Sequence, residues 1–224
     1  MVLCRDAVAT GRSGRDVESI CPDPDPRCMA EVVGRWTDSA CSRPPTDPGD
    51  SFQTIVDVQA TEEQAEELGA LVLAWMIGSG IVEPACRGGW VGEGHAPGPR
   101  YTAAVVQPDS RLHRLWDNGL EVVTGRTVFH SVDVDAITCP HCQMTAAREL
   151  LKPAIQEWVA GAAGTRRCGG CGRLMGLNDW CWQPPWGFGY LGLQFWNWPP
   201  LTKRFVAEVG RRLGHRTVLA AGTL

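Results

Sequence analysis

Trp186-Gly-Phe-Gly-Tyr-Leu-Gly-Leu-Gln-Phe-Trp-Asn-Trp-Pro-Pro-Leu201, with the run from Thr202 to Ala220 behind it, is the stretch that decides the fold. Leu191, Leu193 and Phe195 alternate with other residues, as a half-buried strand requires. Pro199 and Pro200 then break the strand, because a proline ring removes the donor that a ladder needs. Thr202 is placed to cap a helix that turns Phe205, Val206, Val209 and Leu213 to one side. Gly214 ends that helix, and His215 to Ala220 reads as a returning strand.

The same order occurs near residue 52. Phe52-Gln-Thr-Ile-Val-Asp-Val58 alternates as a strand, and Thr61 with Gln64 three residues on has the form of a capping box. Ala65, Leu68, Leu71, Val72, Trp75 and Met76 follow at helical spacing. Gly78 and Gly80 stop the helix, and Ile81-Val82 opens a second strand. Two matching units predict an α+β fold, in which two β-α-β units form a split β-α-β-like sandwich with a zinc-ribbon-like subdomain inserted between them.

The insertion is announced by Cys139-Pro140-His141-Cys142 and, twenty-five residues later, Cys168-Gly169-Gly170-Cys171. Paired Cys-x-x-Cys knuckles that converge make a tetrahedral thiolate site, which suits Zn2+ best. With all positions taken by protein sulfurs, such an ion is structural. The spacer exceeds the usual ribbon gap of roughly fifteen to twenty residues, and a helix over 145–160, kinked or restarted at Pro153, accounts for the excess. A rival reading takes Cys-Pro-His-Cys alone as the redox motif of a thioredoxin-like oxidoreductase, with its thiolate at a helix N-terminus.

Elsewhere the pattern is looser. Residues 85–100 form a glycine- and proline-rich run without a phosphate-loop signature, and they read as a loop. Tyr101 to Val106 reads as a strand and Arg111 to Trp116 as a helical turn. Leu120 to Val123, Thr124-Gly125 and Arg126 to Phe129 read as a hairpin. His130, Asp133 and Asp135 follow as a polar group, and His130 with the 85–100 loop offers a hydrolase reading. Cys181, set between Trp180 and Trp182, reads as a buried thiol.

Charge divides the chain. Residues 1–50 carry six basic and nine acidic side chains, residues 51–138 five and twelve, and residues 139–224 ten and four. The metal-bearing half is thus basic behind an acidic half. Residues 1–50 are rich in proline and aspartate and read as an extension with little order, apart from a short helix over Met29 to Trp36. Cys4, Cys21, Cys28 and Cys41 lie there at spacings that match no ligand signature. Within the sequence, 51–138 is the first α+β half, 139–182 the ribbon with its helix, and 183–224 the second half. No segment has the ~18 apolar residues of a membrane span, and the first residues lack a signal-peptide core, so a cytoplasmic protein with reduced thiols is expected.

Trp196 and Trp198 are expected to point outward, since Leu191, Leu193 and Phe195 claim the inner face. With Arg204, Arg211 and Arg212 on the last helix they form a candidate partner surface. The Gly187-Phe-Gly-x-Leu191 and Phe195-Trp-Asn-Trp-Pro-Pro-Leu201 segments, the Leu213-Gly-His-Arg-Thr-Val-Leu219 ending and the paired knuckles resemble a group of uncharacterised bacterial zinc-ribbon proteins over about residues 52–224. The resemblance implies a shared fold and the zinc site, and it carries over no catalytic residue. The resulting expectation is a zinc-stabilised, non-enzymatic module that binds another macromolecule, protein ahead of nucleic acid. The alternatives are the thiol oxidoreductase and the hydrolase.

Overall fold

A computed structural model describes residues 50–89, 92–110, 112, 118–131 and 134–223. Its elements in chain order are β1 (Ser51–Asp57), α1 (Glu62–Gly78), β2 (Val82–Gly89), β3 (Gly92–Pro97), β4 (Gly119–Phe129), β5 (Ala136–Thr138), α2 (Arg148–Val159), β6 (Thr165–Arg167), β7 (Leu174–Gly176), β8 (Cys181–Gln183), β9 (Gly187–Trp196), α3 (Lys203–Leu213) and β10 (Thr217–Thr223). The fold is α+β. The expectations for the N-terminal extension and its cysteines, for the turn at Arg111 to Trp116 except Leu112, and for Asp133 lie outside the described residues.

Local chemistry starts and stops the helices as the residue types require. The Thr61 N–H donates to Gln64 Oε1 at 3.1 Å ahead of α1, and Thr202 Oγ1 accepts from the Phe205 N–H at 3.1 Å ahead of α3. Gly214 takes a φ of 71°, the left-handed cap that glycine adopts without a Cβ penalty.

Six strands form one sheet in the order β10-β1-β9-β4-β3-β2, with every neighbouring pair antiparallel. Because β9 and β10 both run against β1, they are parallel to each other with β1 between them, which makes β9-α3-β10 a split β-α-β unit. The β1-α1-β2 crossover likewise joins two parallel strands, here with β9, β4 and β3 between. Both helices land on one face, where Val72 and Met76 of α1 and Phe205, Val209 and Leu213 of α3 pack on Ile55, Leu120, Leu191, Leu193 and Phe195. Trp75 stacks on Phe205 at 6.0 Å between the helices.

Three sequence expectations are corrected here. The 85–100 run forms most of the β2–β3 hairpin, and Tyr101 opens a short 3-10 turn with its ring buried. The hairpin read at Thr124-Gly125 is one continuous strand, β4, laddered along β9 on both sides of that dipeptide. Gly125, at a φ of 97°, supports a bulge: Thr124 pairs with Leu191 and Thr127 with Gly189, so two β4 residues oppose one on β9. A local turn signal was satisfied by a bulge because β9 was present to pair with both halves.

The glycines of β9 serve close packing on the face opposite the helices. A Cβ on Gly192 would lie 2.4 Å from Phe129 Cε1, and one on Gly189 would lie 2.3 Å from the Asp57 carbonyl oxygen. Phe129 can move; the Asp57 backbone cannot without disturbing the β1 ladder. Gly189→Ala is therefore expected to cost about 3 kcal/mol, at the upper end of ordinary overpacking. Urea unfolding of the purified protein checks this, and a loss below about 1 kcal/mol would show that the two strands separate easily.

Candidate metal centre

Two knuckles with one hydrogen-bonding scheme build the site. β5 ends at Thr138 and delivers Cys139; β6 ends at Arg167 and delivers Cys168. In the first knuckle the Cys139 N–H donates to the Met144 carbonyl and the Gln143 N–H to the Cys139 carbonyl, each at 2.9 Å. In the second, Cys168 donates to Arg173 at 2.8 Å and Gly172 to Cys168 at 2.9 Å. The residue after each second cysteine turns left-handed, Gln143 at a φ of 60° and Gly172 at 72°. Glycine adopts that conformation freely, whereas glutamine does so only under constraint. Gly172 was a visible signal; Gln143, Met144 and Arg173 act through their backbone and left no mark in composition.

The knuckles converge. The sulfurs of Cys139, Cys142, Cys168 and Cys171 all lie within 4.8 Å of one another, with Cys139 to Cys171 at 3.8 Å and Cys142 to Cys168 at 3.6 Å. A tetrahedral ion with metal–sulfur bonds of ~2.3 Å has edges of about 3.8 Å, so the set can hold a metal ion with little movement. Cys139 and Cys168 are buried while Cys142 and Cys171 are exposed, which leaves one side of the site near solvent. Gly170 stays small for the same closeness, since a Cβ there would lie 3.2 Å from the Cys142 sulfur. Its N–H points to the Cys168 sulfur at 3.4 Å.

Without an ion the sulfurs share protons unequally. Backbone N–H groups, of Cys171 foremost and also of Gly170, hold the Cys168 thiol down at about 6. At Cys142 the Met144 N–H favours the thiolate, but desolvation and the sulfurs of Cys168, Cys139 and Cys171 outweigh it and push the thiol up to about 11. Thiolates packed this closely repel one another, and a central cation removes the conflict.

The subdomain is fastened to the sheet face opposite α1 and α3. Trp158 of α2 meets Phe188 edge-on at 5.7 Å. Arg126, on the β4 bulge, donates to the carbonyls of Trp158 and Ala162 and to the Tyr190 hydroxyl, and lies 4.3 Å over the Trp158 ring. Asn178 bonds the Phe188 backbone N–H at 2.9 Å and its carbonyl at 2.7 Å. Arg126 carries no local signal in the sequence, because its role depends on the helix docked above it. Helix α2 runs through Pro153 without a restart.

Other candidate residues are dispersed. Cys142 does not begin a helix: α2 starts at Arg148, so the N-terminal dipole that the oxidoreductase reading needs is absent at that thiol. His130 lies tilted against Trp186 at 4.6 Å and its Nδ1 contacts the Ser131 carbonyl. It follows Phe129 at one end of β4, whereas His95 pairs with Leu120 at the other. At ~3.4 Å per residue the two histidines are about 30 Å apart, so His130 and His95 do not share a site. Asp135 is exposed. Cys181 is also exposed rather than buried, because β8 alternates and turns Trp182 inward.

Trp196 and Trp198 part company. Trp196 is half-buried on the sheet face away from α3, tilted against Phe52 at 5.5 Å, with its indole donating to Glu121 Oε2 at 3.1 Å. Trp198 does not point outward: it is 4 % exposed, between Phe195 at 5.1 Å and Tyr101 at 6.0 Å. The left-handed turn at Asn197, φ 56°, ends the strand alternation and folds the next side chain back into the core. Arg204, Arg211 and Arg212 are exposed on α3, but Arg211 and Arg212 both pair with Glu208, and Arg212 also lies 4.1 Å over Trp75. Trp196 and these arginines therefore occupy opposite sides of the sheet. No helix among the described residues is long and apolar enough to cross a membrane. No family model, curated protein or solved structure matches the chain.

Proposed function

We propose that the chain is a zinc-stabilised binding module whose partner is a protein. The reading rests on the convergence of Cys139, Cys142, Cys168 and Cys171 within 4.8 Å. Four thiolates at tetrahedral spacing favour zinc, and they leave no open position for substrate, so the ion's task is to hold the knuckles together. Protein is favoured over nucleic acid by the engagement of Arg211 and Arg212 with Glu208, which removes them from a free phosphate-binding row. The ribbon supports the same choice, with Leu174 57 % exposed just after the second knuckle. Kinship with bacterial zinc-ribbon proteins and a cytoplasmic setting are part of this proposal.

Metal analysis of purified protein is expected to give one zinc per chain. Titrating zinc into metal-free protein at pH 7 should release at least the proton that Cys142 holds, its thiol standing near 11. Lower pH therefore weakens binding, since more protons must be displaced. Calorimetry in buffers of different ionisation enthalpy reads the release. Substoichiometric zinc, or affinity independent of pH, would overturn the metal assignment. A shift of single-stranded DNA or RNA at sub-micromolar protein in physiological salt would overturn the choice of partner.

A further inference from the structure

We infer that Cys86 and His95 form a nucleophilic thiol–imidazole pair that accepts acyl groups from activated esters or thioesters. The site lies on the β2–β3 hairpin, separate from the knuckle cysteines, and the inference goes beyond the binding role proposed above.

The two residues are direct cross-strand partners, and Cys86 Sγ stands 3.4 Å from His95 Nε2. His95 Nδ1 lies 2.9 Å from the Glu83 carbonyl oxygen. A carbonyl only accepts, so Nδ1 carries the proton and Nε2 presents its lone pair to the thiol. That is the order required for activation: a nucleophile, a base within reach, and a third group that fixes the base's tautomer. Register makes the third contact. Val82 pairs with Pro97 and Cys86 with His95, so three β2 residues stand opposite one on β3. This bulge carries the Glu83 carbonyl to the ring. The imidazole is held firmly, 8 % exposed, while Cys86 is only partly buried.

Cys86 gives its S–H proton to His95 Nε2, and the sulfur attacks the carbonyl carbon. As the S–C bond forms, the bond to the alcohol or thiol leaving group breaks, and that group departs with the proton from His95. Water then attacks the thioester, passing a proton through His95 back to sulfur, and releases the carboxylic acid. Ester and water become acid and alcohol, with the enzyme restored.

The probe is p-nitrophenyl acetate added to zinc-loaded full-length protein, with peptide mass spectrometry to locate the acetyl group. The expected result is rapid acetylation at Cys86, no p-nitrophenolate burst in Cys86→Ser, and at least a tenfold slower burst in His95→Gln. Equal rates in wild type and His95→Gln, or acetylation confined to other cysteines, would overturn the proposal. If His95→Gln does not fold, iodoacetamide labelling of wild type decides. An isolated thiol changes rate roughly eighty-fold between pH 6 and pH 8. Cys86 paired with its base is expected to change less than tenfold, and an eighty-fold change would again reject the pair.

Discussion

Cys142→Ser and Cys168→Ser are each expected to yield protein that binds no stoichiometric metal and is aggregated or partly unfolded. A structural site with four thiolates contributes on the order of 10 kcal/mol to folding at neutral pH, comparable to the whole stability of a domain. The loss should be confined at first to β5–β8, because the knuckles hold its two small sheets, β5-β8 and β6-β7, each only three residues long per strand. Trp158, Trp182 and Trp186 report on that region through fluorescence, while the main sheet reports through far-ultraviolet dichroism. If either variant melts with wild-type midpoint and the same metal content, the four cysteines do not form the site described.

Asp57→Ala is expected to destabilise by about 4 kcal/mol with metal content unchanged. Asp57 is fully buried at the end of β1, where Oδ1 accepts from the N–H groups of Gln59 and Ala60, both at 2.9 Å. Its Oδ2 meets His215 Nδ1 at 2.8 Å, where α3 turns into β10. One carboxylate thus closes the β1–α1 turn and ties it to the far β-α-β unit. Alanine leaves the buried Ala60 N–H without its partner, at about 1–3 kcal/mol, and takes the acceptor from the more accessible Gln59 N–H and His215 imidazole at a smaller cost each. Asp57→Asn keeps an acceptor for the two N–H groups and should cost about half as much. Urea midpoints at equal metal content measure both, and an alanine variant within 1 kcal/mol of wild type would show that water or neighbouring side chains satisfy the turn.

These two effects differ in how far the sequence showed them. The knuckles were readable because a Cys-x-x-Cys pair is a local object and its chemistry depends on spacing along the chain. The same holds for α3, where Thr202, the apolar period through Leu213, and Gly214 each act within a few residues of one another. Asp57 was just another strand residue until β10 brought His215 beside it. Gly125 and Arg126 read locally as a hairpin turn, and only β9, pairing on both sides, makes them a bulge.

What the sequence by itself determined was the α+β class, the two β-α-β units, the inward faces of β9 and α3, and the identity of the four clustered cysteines. Only the tertiary structure decided that Trp198 is core, that Cys181 is exposed, that the glycine-rich run is a hairpin, and that Cys86 meets His95 across it. The division follows the range of the interactions. Caps, periodic faces and ligand pairs are set within a few residues of chain, whereas strand register and the face a side chain takes after a turn are chosen by surfaces up to 158 residues away, as between Asp57 and His215.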